Sequence, residues 1–152
     1  MRQKKILRGL SVKKYVFLFL TAFILCFIWH NSLQPANLSE QQSLAFARFA
    51  RYALQRIAGF GFSLHEVDNI VRKVAHIMEF AMLGYVVSCA VRQFRLRCSW
   101  MILPLLLGLL AACIDEYLQQ FSPGRAMQLS DVGIDFIGVC LGHGVAAKFF
   151  VK

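Results

Sequence analysis

The sequence contains no stretch in which polar and apolar residues alternate, no internal repeat and no low-complexity segment. Without alternation of period two, a β-barrel membrane protein is not expected. The five cysteines form no C-x-x-C pair and no spacing typical of metal ligands, so we expect them to be packing residues. No known nucleophile motif is present either. The common sequence signs of a metal protein or of covalent catalysis are therefore missing.

Apolar residues are abundant instead. The chain is 58% hydrophobic with a mean hydropathy of +0.56, which is too apolar for an ordinary soluble domain of 152 residues. Four stretches are long enough to cross a bilayer as helices, at about residues 15–31, 75–91, 100–118 and 132–151. The N-terminus resembles a signal peptide but has no clear cleavage site, so we expect an uncleaved helix. The sequence predicts an all-α membrane protein with four transmembrane helices in a single domain, residues 1–152.

A fifth helix is predicted between the first two spans, at about residues 39–58. Ser39 and Gln42 have the spacing of a capping box at its start. Phe46 and Phe49 fall on one face of this helix and Arg48 falls on the other, so the helix is amphipathic. It is expected on the outer side of the membrane. Two arrangements stay open: the helix lies on the membrane surface, or it packs over the bundle.

The net charge of +9 has an uneven distribution that argues against nucleic-acid binding. With four spans, eleven of the 17 basic residues fall on one side of the membrane and six on the other. Positive residues accumulate on the cytoplasmic face, so both termini are predicted to be cytoplasmic. The expected location is therefore a cytoplasmic membrane. The eleven residues are Arg2, Lys4, Lys5, Arg8, Lys13, Lys14, Arg92, Arg95, Arg97, Lys148 and Lys152.

Five of the eight carboxylates lie in or beside the predicted spans, where ionisable groups are costly and usually mark a site. They come from three segments that all place them on the predicted outer side. His76 and Glu79 are three residues apart on one helix face, which predicts a hydrogen bond or a shared cation. Arg125 follows the Pro-Gly turn and is predicted to pair with carboxylates. The predicted polar site consists of Lys73, His76, Glu79, Asp115, Glu116, Gln119, Arg125, Asp131 and Asp135.

Within these segments, the residue spacing assigns helix faces. Asp115 and Gln119 share a face because they are four residues apart, whereas the adjacent Glu116 points elsewhere. Asp131, Asp135, Gly138 and Gly142 form one stripe, whose glycines suit close contact with a neighbouring helix. Asp131 has the alternative role of a helix cap. No residue is assigned a catalytic role, and a divalent cation is only weakly suggested.

These segments carry a family resemblance that extends over most of the predicted bundle. The matching motifs are Ser32-x-Gln34-Pro35, Arg72-Lys73-Val74-Ala75-His76-x-x-Glu79-Phe80-x-x-Leu83-Gly84, Asp115-Glu116-Tyr117-x-Gln119-x-Phe121-x-Pro123-Gly124-Arg125 and Asp131-Val132-x-x-Asp135-x-x-Gly138. Together they resemble the VanZ-like family of small membrane proteins. Leu118 departs from the pattern, because members often carry a polar residue there. The resemblance implies a helical membrane architecture and an association with teicoplanin resistance.

Four functions stay open at this point. The first is a cell-envelope protein that acts in the outer leaflet and lowers susceptibility to teicoplanin-type lipoglycopeptides. The second is an enzyme acting on a lipid-linked envelope precursor, with Arg and Lys side chains holding phosphate. The third is an ion- or proton-coupled transporter, and the fourth is a scaffold without catalysis. Membrane lipid is an expected partner in each case, a lipid-linked precursor or lipoglycopeptide is a candidate ligand, and an oligomer is left open.

Overall fold

The computed structural model describes residues 2–59, 61–94 and 99–150, and within these residues it is built of helices without strands. The helices are α1 (Arg2–Ser32), α2 (Ala36–Ala58), α3 (Leu64–Gln93), α4 (Ser99–Gln119) and α5 (Leu129–Phe150). Four segments are long and apolar enough to cross a membrane: Val12–Ser32, Leu64–Gln93, Trp100–Gln119 and Leu129–Phe149. The predicted class, four spans plus one further helix, is confirmed.

Helix α3 begins well before the predicted start at residue 75, because a capping box stabilises its first turn. The Ser63 hydroxyl accepts from the Glu66 amide at 3.2 Å, and the Glu66 carboxylate accepts from the Ser63 amide at 2.9 Å. The capping box predicted at Ser39 is wrong. Helix α2 starts at Ala36 after Pro35, and the Ser39 amide already donates to the Pro35 carbonyl at 3.1 Å, inside the helix.

Helix α2 packs on α3 through a stripe beside its aromatic face. Ala47 is fully buried in this contact, and the Ser43 hydroxyl donates to the Asp68 carboxylate of α3. Phe46 and Phe49 remain 71% and 74% exposed. The bundle therefore leaves the aromatic face free for lipid. The helix ends at Gly59, whose φ of 66° is the left-handed C-cap conformation, and the neighbouring Phe60 lies outside the described residues.

Helix α3 is the centre of the bundle and contacts each of the other four helices. Its closest neighbour is α5, where Gly138 and Gly142 bring the two backbones together. A Cβ atom at Gly142 would meet the Ala81 carbonyl, and one at Gly138 would meet the Ile77 carbonyl. The predicted role of these glycines in close helix contact is confirmed. Small side chains thus set the distance between α3 and α5.

Two connections at one end of the bundle are fastened to each other. The Ser122 hydroxyl donates to the Ser32 carbonyl at 2.8 Å, and the Ala36 amide donates to the Pro123 carbonyl at 3.0 Å. Gly124 has a φ of 79°, which glycine adopts without strain in the tight turn between α4 and α5. The corner between α1 and α2 is therefore held against the turn between α4 and α5.

We expect Gly142→Ala to lower the free energy of unfolding by about 1–3 kcal/mol, because the added methyl group forces α5 away from Ala81. Gly144→Ala is the matched control, since its Cβ meets nothing within 4 Å. That control should be neutral or stabilise by up to about 1 kcal/mol through better helix propensity. Thermal unfolding of the purified protein in detergent measures both changes, and equal behaviour of the two variants would contradict the close contact.

Candidate functional site

The polar side chains gather at the end of the bundle where α1 and α4 end and where α3 and α5 begin. At the centre, His76 Nδ1 lies 3.7 Å from Asp135 Oδ1 and 4.0 Å from Asp115 Oδ2. Asp115 and Asp135 are 0% and 2% exposed. Three separate helices thus bring a histidine and two buried carboxylates together. We call His76, Asp115 and Asp135 the triad.

The neighbours of the triad are held by hydrogen bonds from amide side chains. The Gln119 amide donates to Asp115 Oδ2 at 3.1 Å, as their spacing predicts. Glu79 accepts from the Asn31 amide of α1 at 3.1 Å. No hydrogen bond joins His76 to Glu79 among the described residues, because the two side chains point to different helices. His76 points to α4 and α5, whereas Glu79 points to α1.

Glu116 is fully buried but serves the connection between α4 and α5. Its carboxylate accepts from the backbone amide of Gln128, just before α5 begins. The adjacent Asp115 points into the triad instead. The expectation that these two carboxylates lie on different faces is confirmed, and the geometry gives Glu116 a structural contact.

Two ion pairs flank the triad. Lys73 Nζ lies 2.9 Å from Asp131 Oδ1 and joins α3 to α5. Arg72 Nε lies 3.2 Å from Asp68 Oδ2 within α3. Asp131 stands in the first turn of α5, where a negative charge is favourable beside the helix N-terminus. Its side chain binds Lys73 rather than capping the helix.

Arg125 is held by its backbone, whose amide donates to the Ser122 carbonyl at 3.1 Å. The predicted ion pair between Arg125 and a carboxylate is wrong for the described part of the chain, although Asp115, Glu116 and Glu79 act on its charge. Those three carboxylates already accept from Gln119, Gln128 and Asn31. Burial lowers the pKa of the Arg125 guanidinium from its ordinary value, and these carboxylates oppose the shift. The group stays charged.

Several polar residues at this end of the bundle were not predicted from the sequence. Asp68 is 1% exposed and binds both Ser43 and Arg72, but it lies in a stretch interpreted as a loop. Asn31, at the end of the first predicted span, contacts Glu79 of α3. The Ser63-x-x-Glu66 spacing was the available signal for the early start of α3.

The triad is the set of described residues best placed to hold a metal ion. One ligand atom from each of its three members lies within 4.8 Å of the others. Lys73, Arg125 and Asp131 lie around this centre rather than in it, and Glu116 binds the Gln128 amide. The nine predicted residues thus occupy one end of the bundle but form distinct groups.

Fold and site together define a multi-pass helical membrane protein with a buried polar site at one end of its bundle. The sequence profile of the VanZ/LLP1 family matches residues 17–151. The match covers most of the first candidate span, the other three spans and every predicted site residue, and the chain belongs to this family. Neither a curated protein nor a solved structure matches the chain significantly.

We expect Glu116→Ala to lower the free energy of unfolding by about 2 kcal/mol, because the Gln128 backbone amide loses the buried, charged acceptor that Glu116 supplies. Glu116→Gln should restore much of this loss, since an amide oxygen also accepts. Gln120→Ala, at the exposed position just after the end of α4, should change stability by less than about 0.5 kcal/mol. Unfolding curves in detergent compare the three variants. Equal losses in Glu116→Ala and Gln120→Ala would exclude the structural role.

Proposed function

We propose that this VanZ/LLP1-family protein binds an amphiphile of the cell envelope in the outer leaflet of the bacterial cytoplasmic membrane. The apolar chain of the ligand lies in a groove of the bundle, and its headgroup reaches the polar site. By holding such a molecule, the protein lowers susceptibility to lipid-anchored glycopeptides of the teicoplanin type. The proposal depends on one observation, the apolar groove that ends beside the polar site.

The groove lies between α1, α3 and α4 and has a volume of about 460 Å³. Its lining is apolar apart from Thr21, whose hydroxyl donates to the Phe17 carbonyl at 2.8 Å. It extends from Leu18 to Trp29 along α1, a distance of about 16 Å at the rise of an α-helix. Pockets of this volume hold small ligands, and an apolar groove of this length suits a hydrocarbon chain.

The polar site begins where the groove ends. On α4, Ile114 lines the groove and the next residue is Asp115. On α3, the last lining residue is Leu83, and Glu79 stands one helical turn beyond it. The hydrogen bond between Glu79 and Asn31 crosses from α3 to α1 at this level. A chain in the groove therefore has polar groups of the protein at its end.

The headgroup expected there is rich in hydrogen-bond donors, such as a saccharide or an amine. Glu79 Oε2 is buried and has no hydrogen-bond partner among the described residues. The indole Nε1 of Trp29, at the groove end, likewise lacks an acceptor in the described ranges. Leaving such groups unpaired is costly, so a ligand that pairs with them gains affinity. Saccharides occur both in lipid-linked precursors and in lipoglycopeptides.

The outer leaflet follows from the distribution of basic residues. We place both termini in the cytoplasm, because a four-span topology assigns eleven of the 17 basic residues to the side opposite the polar site. The exposed face of α2, with Phe46 and Phe49, extends the apolar surface near the site end. In this orientation the site meets envelope molecules that are assembled outside the cell. The proposed binding site retains Lys73, His76, Glu79, Asp115, Gln119, Arg125, Asp131 and Asp135, with Glu116 as its structural support.

A second candidate function is an enzyme acting on a lipid-linked envelope precursor, which the triad favours. A histidine beside two buried carboxylates supplies acid and base groups for proton transfer. Phosphate contacts from Arg72 and Lys73 are less available than expected, since both side chains already pair with aspartates. Turnover of a prenyl-phosphate lipid by the purified protein, abolished in Asp135→Asn, would favour this candidate over binding alone.

We expect lipid with brominated chains to quench the fluorescence of Trp29, because that side chain lines the groove. A Trp100→Phe background isolates the signal. Phosphatidylethanolamine, whose headgroup donates hydrogen bonds, should quench at lower mole fraction than phosphatidylcholine, whose headgroup does not. EDTA is present throughout, so that metal ions do not contribute to the change in fluorescence.

Leu110→Phe should weaken this quenching because it fills the groove, whereas Leu109→Phe, on the same helix but outside the lining, should not. Glu79→Gln should reduce the difference between the two lipids. Quenching that depends neither on the headgroup nor on Leu110 would show that bulk lipid alone reaches Trp29, and it would overturn the proposal.

We expect expression in a teicoplanin-sensitive Gram-positive host to raise the inhibitory concentration of teicoplanin and not that of vancomycin. Teicoplanin carries an acyl chain that suits the groove, and vancomycin does not. The effect should be lost in Asp135→Asn and in Leu110→Phe but kept in Leu109→Phe, at equal membrane levels. Equal protection against both drugs, or none from the parent chain, would contradict the resistance role.

A further inference from the structure

We propose that the triad, His76, Asp115 and Asp135, binds a divalent transition-metal ion, Zn²⁺ or Mn²⁺, where α3, α4 and α5 meet. This site is part of the polar site at the end of the groove between α1, α3 and α4, but none of its three residues lines the groove. It does not depend on which amphiphile the protein binds, or on whether it binds one.

The geometry of the triad is close to that of a metal site. The His76 Nδ1 atom lies 3.7 Å and 4.0 Å from the nearest oxygens of Asp135 and Asp115, and the three ligand atoms lie within 4.8 Å of one another. Bonds of about 2.1 Å to Zn²⁺ place tetrahedral ligands roughly 3.4 Å apart. Shifts of less than about 1 Å within side-chain rotamers would complete the coordination.

The two carboxylates have unused oxygens in a place that water does not reach. Asp115 Oδ1 and Asp135 Oδ2 are buried and receive no hydrogen bond from the residues that the structure describes. Burying a charge without a partner costs roughly several kcal/mol. Ionisable groups inside membrane bundles therefore usually mark functional sites. A bound dication supplies the missing partner to both carboxylates at once.

The surrounding charge favours a cation. Among the described residues at this end, Arg72 and Lys73 are engaged by Asp68 and Asp131. Glu79 and Glu116 lie near the triad, so four carboxyl groups face one guanidinium without an ion pair, that of Arg125. A divalent cation stabilises the ionised form of these carboxyl groups.

The ligand types select among metals. An imidazole nitrogen favours Zn²⁺ over Mg²⁺ and Ca²⁺, which prefer oxygen ligands throughout, and the two carboxylates also suit Mn²⁺. The Gln119 amide, 3.1 Å from Asp115 Oδ2, orients that carboxylate as residues around bound metals commonly do. Three protein ligands leave at least one coordination position for water or a ligand oxygen.

Binding is tested on the purified full-length protein in detergent, stripped with a chelator and titrated with Zn²⁺ or Mn²⁺ alone in a calorimeter. The parent chain should bind a single ion with stoichiometric occupancy. Affinity should fall at least about tenfold in Asp135→Asn and in His76→Ala, each of which removes a ligand. Mg²⁺ should bind more weakly than Mn²⁺. Glu66→Gln, which removes an exposed carboxylate of α3 and keeps an acceptable capping box, should bind like the parent.

Stability supplies a second measurement that separates metal loss from misfolding. Without metal, Asp135→Asn should melt at the same temperature as the parent or higher, because it removes an unpaired buried charge. With Zn²⁺ or Mn²⁺ added, the parent should gain thermal stability and Asp135→Asn should not. A parent chain that binds no stoichiometric ion, or variants that bind as the parent does, would overturn the proposal. His76 would then lie between the two aspartates without metal.

Discussion

The close contact between α3 and α5 determines where the polar side chains stand. Gly138 and Gly142 allow the two backbones to touch at Ile77 and Ala81, and Asp135 lies one turn before Gly138 on the same stripe. The contact therefore carries Asp135 to His76, which precedes Ile77 on α3. In a bundle surrounded by lipid, helix association relies on such packing and on internal polar contacts rather than on burial from water. The position of the polar site thus follows from the close helix packing that Gly138 and Gly142 allow.

The hydrogen bonds that cross the bundle have a common logic. Polar side chains within the membrane need hydrogen-bond partners from the protein or from a ligand, because hydrocarbon offers none. Asn31 supports Glu79, Gln119 supports Asp115, and the Gln128 amide supports Glu116. Among the described residues, the atoms still unpaired after these contacts include Glu79 Oε2 and Trp29 Nε1 at the groove end, and Asp115 Oδ1 and Asp135 Oδ2 in the triad. Those two places are where we expect an amphiphile and a metal ion.

Much of this arrangement follows from spacing along single helices. Apolar stretches of spanning length predicted the four membrane helices, and the four-residue spacing of Asp115 and Gln119 predicted their contact. The stripe from Asp131 to Gly142 predicted which face of α5 meets its neighbour. Each of these inferences needs only the periodicity of a helix. The Pro-Gly pair likewise predicted the turn between α4 and α5.

Partner choice between helices was harder to predict from the sequence. His76 and Glu79 share a helix face in projection, but α1 stands on one side of α3 and α5 on the other, so the two side chains separate. Arg72 pairs with Asp68 because α3 starts early, so that both residues lie on one helix. The capping box at this start consists of polar residues, which an apolar pattern does not detect. Arg125 has no ion pair in the described ranges, since its nearest carboxylates are engaged elsewhere. These outcomes depend on the order of helices around α3, which spacing within one segment does not encode.

The fastening of the α1–α2 corner to the turn after α4 bears on how the protein is made. The hydrogen bond between Ser122 and Ser32 joins residues 90 positions apart. The ribosome therefore synthesises α1 and α2 long before the turn between α4 and α5. Spans that insert one by one associate afterwards. Asp135, on the last span, reaches His76 later still. During synthesis the first three spans must reside in the bilayer before Asp135 joins His76 and Asp115. The order of the chain therefore makes the triad the final part of the bundle to form.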